Sequence, residues 1–308
     1  AWTISARVNY SLEFARAAAW CGVFSALEQP AAFLRDGKCE LVGGGDALLA
    51  SARPYAVGRL GNCYRLEVIP NRDALLYAPL YGLGVAGGLG GLRALFRGTL
   101  RYEGFAAQMA MLRSLMSASA TVPGGVRSWA ELARHLRLLD ARRGEGEAAT
   151  RVRKELLREL GALSPAEKVR APGTRTQLSV RDAFCALLAR QLAYAEDERD
   201  LVLMQHEVVV EWPAEGGVET TILSTLVLAG GGAPGVPSAM ARTVGLTAAL
   251  GVRLLLSERG RASLGGGVHI PTHPAVWGAL LPLLEAEGVR FDESCSAAPL
   301  ARPDPGAV

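Results

Sequence analysis

Leu201-Val202-Leu203-Met204-Gln205-His206-Glu207-Val208-Val209-Val210-Glu211-Trp212 and, after a short polar interval, Thr220-Thr221-Ile222-Leu223-Ser224-Thr225-Leu226-Val227-Leu228 are the two strongest strand candidates in the chain. Both are rich in β-branched residues, whose stiff side chains suit a pleated, half-buried surface. A period of two places Val202, Met204, His206, Val208, Val210 and Trp212 on one face of the first run. Gly216-Gly217 supplies the turn, so the pair reads as a β-hairpin.

Upstream, residues 10–35 read as a helix carrying Phe14, Ala18, Val23, Leu27, Phe33 and Leu34, broken near Pro30. Asp36-Gly37 is a turn signal before a short strand, Lys38–Val42. Tyr64, Leu66 and Val68 alternate with Arg65 and Glu67, predicting a half-buried strand over 64–69. It runs into Pro70-Asn71-Arg72-Asp73, a loop opening a helix with Asn71 or Asp73 as cap. A strand over Arg97–Glu103 follows, then a helix from Gly104-Phe105 to about Met116. Helices are expected near 128–141, 147–161 and 179–195, the last capped by Ser179, with 164–177 as a linker. Downstream of the hairpin, a Gly/Pro loop (230–237) leads to helices over Ser238–Ser257 and 274–287. The tail 294–308 reads as disordered.

Half of the 308 residues are apolar and a fifth are charged, an ordinary globular composition with a net charge of only +3. No basic stretch interleaves aromatics, so no nucleic-acid partner is expected. The five cysteines are scattered without CxxC spacing, which points to reduced thiols and a cytoplasmic or other intracellular setting. No membrane partner is expected, since no run of about 18 apolar residues is visible. The chain starts Ala1-Trp2-Thr3 without Met, and reads as a region of a longer one. Gly82-x-Gly84-x-x-Gly87 matches a dinucleotide fingerprint in letters. No β-branched strand precedes it, and only Leu92–Phe96 separates it from the next strand, so a surface insertion (84–91) is the better reading.

Arg72, beside a strand end, and Arg97 and Arg101, on the following strand, present guanidinium forks suited to gripping carboxylates. Pairing with Glu67 or Glu103 at the surface is the plainer alternative. Among the four histidines, His206 reads as a core residue and His135 as solvated, and His269 and His273 lack a third metal ligand. Cys185 lies among Ala, Leu and Phe and reads as a packed thiol. The helix opening at Ser238-Ala239-Met240 offers free N–H groups where an anion could sit.

Five segments in order resemble saccharopine dehydrogenases: Pro70-Asn71-Arg72-Asp73; Phe96-Arg97-Gly98-Thr99-Leu100-Arg101-Tyr102-Glu103-Gly104-Phe105; Glu198-Arg199-Asp200 through His206-Glu207; Pro237-Ser238-Ala239-Met240-Ala241-Arg242-Thr243-Val244-Gly245; and Gly267-Val268-His269-Ile270-Pro271. Ala74, in place of the family's Ser, and Thr247, in place of its Pro, are departures. The His206–Glu211 strand is most similar to the plant form, fused behind a lysine–ketoglutarate reductase and serving lysine degradation. The yeast-type enzyme using NADP is second.

The resemblance implies an α+β fold: a mixed β-sheet substrate and dimerisation domain (1–236) covered by helices. A C-terminal segment (237–308) would return to pack, through exposed apolar helix faces, on a dinucleotide-binding domain outside this chain. It implies oxidative cleavage of saccharopine to glutamate and 2-aminoadipate 6-semialdehyde, with NAD or NADP bound mainly by residues elsewhere. Arg72, Thr99, Leu100 and Arg101 are the substrate contacts it implies; no general base is assigned. A homodimer is expected. A non-catalytic oligomerisation scaffold of the same family is the alternative.

Overall fold

The computed structural model describes residues 2–5, 13–57, 61–83, 91–116, 121–140, 146–169, 178–194, 198–212, 218–231 and 235–299. Nine strands are seen among them: β1 (Trp2–Ser5), β2 (Ala31–Arg35), β3 (Lys38–Val42), β4 (Arg53–Val57), β5 (Gly61–Pro70), β6 (Gly98–Tyr102), β7 (Leu201–Trp212), β8 (Val218–Ala229) and β9 (Asp292–Pro299). Seven form one sheet in the order β4-β5-β6-β1-β7-β8-β9, and β2 with β3 makes a separate hairpin. Only β1 and β6 run parallel, so the sheet is mixed, as expected, and the fold is α+β.

The β7–β8 hairpin sits where its sequence predicts, with Leu201 opposite Ala229 and Trp212 opposite Val218. Its Gly216-Gly217 turn lies outside the described residues, as do Gly84–Gly90 of the glycine-rich stretch. Two readings are corrected. Residues 31–35 leave the helix and become β2, because their backbone pairs with β3 and Phe33 packs edge-on against Phe96 at 5.0 Å. Residues 294–299 are not a disordered tail. They lie in β9, hydrogen-bonded to β8 from Val218↔Pro299 to Thr225↔Asp292. The edge of β8 supplies a ladder that outweighs the poor strand propensity of Asp-Glu-Ser-Cys-Ser-Ala-Ala-Pro. Residues 300–308 fall outside the described region.

Register assigns the two faces. Ile4 lies opposite both Leu100 and Leu203, and Thr3 opposite both Thr99 and Met204. Leu100, Leu203, Val57, Leu66 and Val68 therefore share one face and form a core cluster of their own. That face is the inside of a curl. The Tyr55 hydroxyl of β4 donates to Gln205 Oε1 of β7 at 2.5 Å, across three intervening strands. In a flat sheet those strands would stand about 19 Å apart. Gln205 in turn donates to Thr225 Oγ1 at 3.2 Å, and burial pushes the Tyr55 phenol up to about 12.

The other face carries two helical groups. Against β5, through Ile69, pack helices Glu13–Leu27, Phe105–Leu115, Trp129–His135, Glu147–Glu159 and Val180–Gln191. Trp129 meets Phe184 edge-on at 4.9 Å, and Ser128 with Glu131 forms a capping box. Arg153 is buried there and donates to the carbonyls of Leu138 and, at 2.8 Å, Asp140. Against β7 and β8, through Val202 and Leu226, pack helices 239–256 and Pro274–Ala286, using Ala239, Leu250, Leu280 and Leu284.

The C-terminal segment, expected to pack on another domain, rests through these residues on its own sheet. Six of its apolar residues, Val244, Val252, Leu255, Leu256, Trp277 and Leu281, are exposed, as expected. By length and mean hydropathy (1.4 over Ala239–Leu256) this helix could cross a bilayer, where the sequence reading saw no such run. A π turn over Arg242–Leu246 interrupts it, where Thr243 donates to the Ala239 carbonyl at 3.0 Å and Thr247 to that of Thr243 at 2.6 Å.

Candidate functional site

The site residues are set by the antiparallel pairing of β5 and β6, in which Glu67 faces Arg101, Ile69 faces Thr99 and Pro70 faces Gly98. Alternation sends Thr99 and Arg101 to the helix-bearing face and Leu100 into the curl. The Leu100 side chain is fully buried against Val68 and Leu203, so only its backbone could meet a ligand. Thr99 and Arg101 are half-buried, and Arg101 lies over the Phe105 ring at 5.0 Å. Burial lowers the Arg101 guanidinium to about 10, still a cation at neutral pH.

Glu67 does not stay at the surface. It is buried and accepts from the backbone N–H groups of Gly104 (3.1 Å) and Ala106 (2.5 Å), holding the start of helix 105–115. Glu103 pairs with Arg65 at 2.8 Å. Glu67 is thus committed to these backbone donors and Glu103 to Arg65.

Pro70 ends β5 and offers no further N–H. The loop after it is held from four sides. Asn71 N donates to the Arg97 carbonyl at 2.9 Å, and the Asn71 side-chain amide donates to Thr99 Oγ1 at 3.0 Å. Ala32 N donates to the Arg72 carbonyl at 3.1 Å, and Asp73 Oδ1 accepts from Leu75 N at 2.8 Å in a local turn; the helix Tyr77–Leu80 starts only after Leu76 and takes no side-chain cap, so neither Asn71 nor Asp73 caps it. Between these ties Arg72 adopts φ 56°, the left-handed region, with its side chain exposed. A non-glycine residue there costs on the order of 1 kcal/mol and persists only where its surroundings over-determine it. The loop is thus fixed against β6, and its hydrogen bond joins Asn71, next to Arg72, to Thr99, two residues before Arg101.

Sequence reasoning missed the aromatics beside this loop. Tyr77 and Tyr81 stack at 5.7 Å on the short helix Tyr77–Leu80, and Arg97 lies over Tyr77 at 5.2 Å. Leu80, Tyr81 and Gly82 then face Thr272 and Trp277 across a cleft of about 520 Å³. The Tyr77/Tyr81 spacing of four was a legible signal; the meeting with Trp277 is purely tertiary.

Other candidates resolve into structural roles. Burial holds His206 below its ordinary value, and its half-buried ring packs 5.5 Å from Phe291. His135 is exposed. His273 Nδ1 caps helix 274–286 by accepting from Ala275 N at 3.2 Å. Among the described residues no three metal ligands cluster. A dinucleotide does not fit the described residues either. A short helix, not a strand, precedes Gly82. The strand–glycine loop–helix unit from β8 to helix 239–256 is already capped: Asp200, buried, accepts from Ala239 N (2.7 Å) and Met240 N (2.8 Å). That carboxylate fills the expected anion site and would repel a phosphate.

The family model for the saccharopine dehydrogenase C-terminal domain matches residues 10–289. The alpha-aminoadipic semialdehyde synthase of Arabidopsis thaliana is 31% identical over 290 residues, covering 88% of this chain and 26% of that protein. The saccharopine dehydrogenase [NADP(+), L-glutamate-forming] of Saccharomyces cerevisiae is 30% identical over 276 residues, covering 83% of this chain and 56% of its own. The solved apo structure of the yeast saccharopine dehydrogenase (L-Glu forming) superposes with a TM-score of 0.73 at 25% identity, covering 96% of this chain and 66% of that one. The chain spans about a quarter to about half the length of these curated relatives. With the match running through both the β5–β6 site and the C-terminal helices, the chain belongs to the saccharopine dehydrogenase C-terminal domain family.

Proposed function

We propose that this chain is the substrate-gripping part of a saccharopine dehydrogenase of lysine metabolism. The whole reaction is oxidative cleavage of saccharopine to glutamate and 2-aminoadipate 6-semialdehyde with NAD(P)+ as acceptor. That acceptor would be bound mainly by residues elsewhere, leaving this chain the binding and orientation of the substrate. Saccharopine carries three carboxylates. Arg72 and Arg101 would each take one, and Thr99 would donate its hydroxyl proton to an oxygen. The carrying observation is the strained, four-times-tied Arg72 loop, joined to Thr99 through Asn71. Fusion behind a lysine–ketoglutarate reductase accords with the small share of the Arabidopsis relative that the chain covers.

Calorimetric titration with saccharopine tests this. Arg101→Ala should weaken binding about ten- to hundredfold, the worth of one charge-assisted contact. Arg290→Ala, which breaks only a surface pair with Glu285, should leave it unchanged. Binding equal in Arg101→Ala and the wild type would remove the clamp.

A second reading, an oligomerisation scaffold without ligand response, has one observation of its own. The outer half of β7 exposes Val208, Val209 and Trp212, and among the described residues β9 is the last strand of the sheet. A homodimer would form there. Sedimentation showing a dimer, together with no heat of saccharopine binding, would favour this reading over the first.

A further inference from the structure

Asn71 is the residue through which the Arg72 loop and the Thr99 strand meet. It follows Pro70, the last paired residue of β5. Its N–H reaches the Arg97 carbonyl at 2.9 Å, carrying the ladder one step past the Pro70↔Gly98 pair. Ile69 stands directly opposite Thr99, so alternation brings Asn71 to the face of Thr99 as its diagonal neighbour. A short amide spans that diagonal: Asn71 Nδ2 donates to Thr99 Oγ1 at 3.0 Å, with both residues half-buried.

A hydroxyl has one proton and two lone pairs, whereas a guanidinium is a donor in every orientation and an ionised carboxylate accepts only. Arg72 and Arg101 therefore need no help to face a carboxylate, but Thr99 is a donor only if its proton is aimed. Once an N–H occupies one of its lone pairs, that proton turns away from the amide. We infer that Asn71 is a positioning residue: by donating to Thr99 Oγ1 it makes the Thr99 hydroxyl a dedicated donor to one substrate carboxylate oxygen. The inference rests on the reading of this site as a saccharopine clamp, and adds what fixes the direction of one of its contacts. The opposite amide orientation, with Oδ1 toward Thr99, would take the hydroxyl proton and turn lone pairs toward the incoming carboxylate. Chain length and chemistry both matter at position 71. Serine would stop short of Thr99, and aspartate, of the same shape, would accept where asparagine donates. Asn71 acts through Thr99 and needs no contact of its own with the substrate.

Calorimetric titration of the full 308-residue chain with saccharopine, on single and paired variants, tests this. Thr99→Val keeps the side-chain shape and removes the hydroxyl, and should weaken binding about tenfold. Thr99→Ser keeps the hydroxyl and should stay within about twofold of the wild type. Asn71→Ala should weaken binding about three- to tenfold alone, and add nothing in the Thr99→Val background. Asn71→Asp should weaken it at least as much as Asn71→Ala, because a carboxylate captures the Thr99 proton. Equal weakening by Asn71→Ala in the wild-type and Thr99→Val backgrounds overturns the inference, since Asn71 would then serve the loop and Arg72 alone. So does wild-type affinity in Asn71→Asp, which puts an acceptor at that place. Where Asn71→Ala fails to fold, the isosteric pair Asn71→Asp and Thr99→Val decides. The clamp itself fails differently: no heat with the wild type, or full binding in Arg101→Ala, ends both readings. Binding lost in Arg101→Ala but kept in Thr99→Val and Asn71→Ala ends this inference alone.

Discussion

The two helical groups on the one sheet face are built from similar residues and end in opposite states. The helices around Trp129 and Phe184 close on one another and bury Leu132, Leu138, Leu157 and Val180 completely. Helices 239–256 and 274–286 bury only the stripe that meets β7 and β8, and turn Leu255, Leu256, Trp277 and Leu281 to solvent. Amphipathic spacing says that a helix has a face to bury; how many partners surround it decides how much is buried. In the first group five helices close on one another; in the second, helices 239–256 and 274–286 have each other and one sheet face. Thr99 and Arg101 lie on the strand between, at the border of the closed and open regions.

The largest effect expected is at the centre of the closed group. Trp129→Ala should cost about 3–5 kcal/mol in urea unfolding, from lost transfer energy and the cavity left behind. Trp277→Ala, half exposed, should cost under about 1 kcal/mol. Equal costs would show that the open face is covered in solution, and the contrast would fail.

A middle-sized effect is expected at the anchor of the open group. Asp200→Ala frees the Ala239 and Met240 N–H groups and should cost about 1–2 kcal/mol, the worth of a helix cap. Hydrogen exchange should quicken over 239–256 and stay unchanged over 180–191. Equal quickening in both would mean the groups unfold as one unit.

The smallest effect is a pH dependence. Burial lowers the folded-state value of His206, so the unfolded chain binds the proton more readily. The stability this neutral histidine contributes is present above the ordinary value of about 6.5 and is lost as pH falls through its folded value. His206→Gln should flatten the acid slope of the melting temperature. An unchanged slope would place the acid sensitivity in other groups.

The strands over 64–69 and 97–103 and the turn at Pro70 were readable because alternation and a proline stop are local. Their pairing came from the structure, and the grouping of Arg72, Thr99, Leu100 and Arg101 as substrate contacts came from the family resemblance. The left-handed backbone of Arg72 was not readable, since arginine carries no preference for it and the loop's hydrogen bonds come from Ala32, Arg97 and Thr99. The anion site at Ser238 looked open in sequence because Asp200 is 38 residues away in the chain and arrives only through the end of β7.

By itself the sequence determined which segments can be strands or helices, where the long hairpin lies, and which residue types are available to hold carboxylates. Those properties depend on neighbours within a few positions, where propensity and period act. The tertiary structure alone decided that β9 is a strand, that 31–35 leave their helix, that Leu100 is core while Thr99 and Arg101 face the helices, and that the C-terminal helices are half covered. Each of these turns on a partner supplied from far along the chain, and hydrogen bonding and burial to such a partner outweigh the small local preferences.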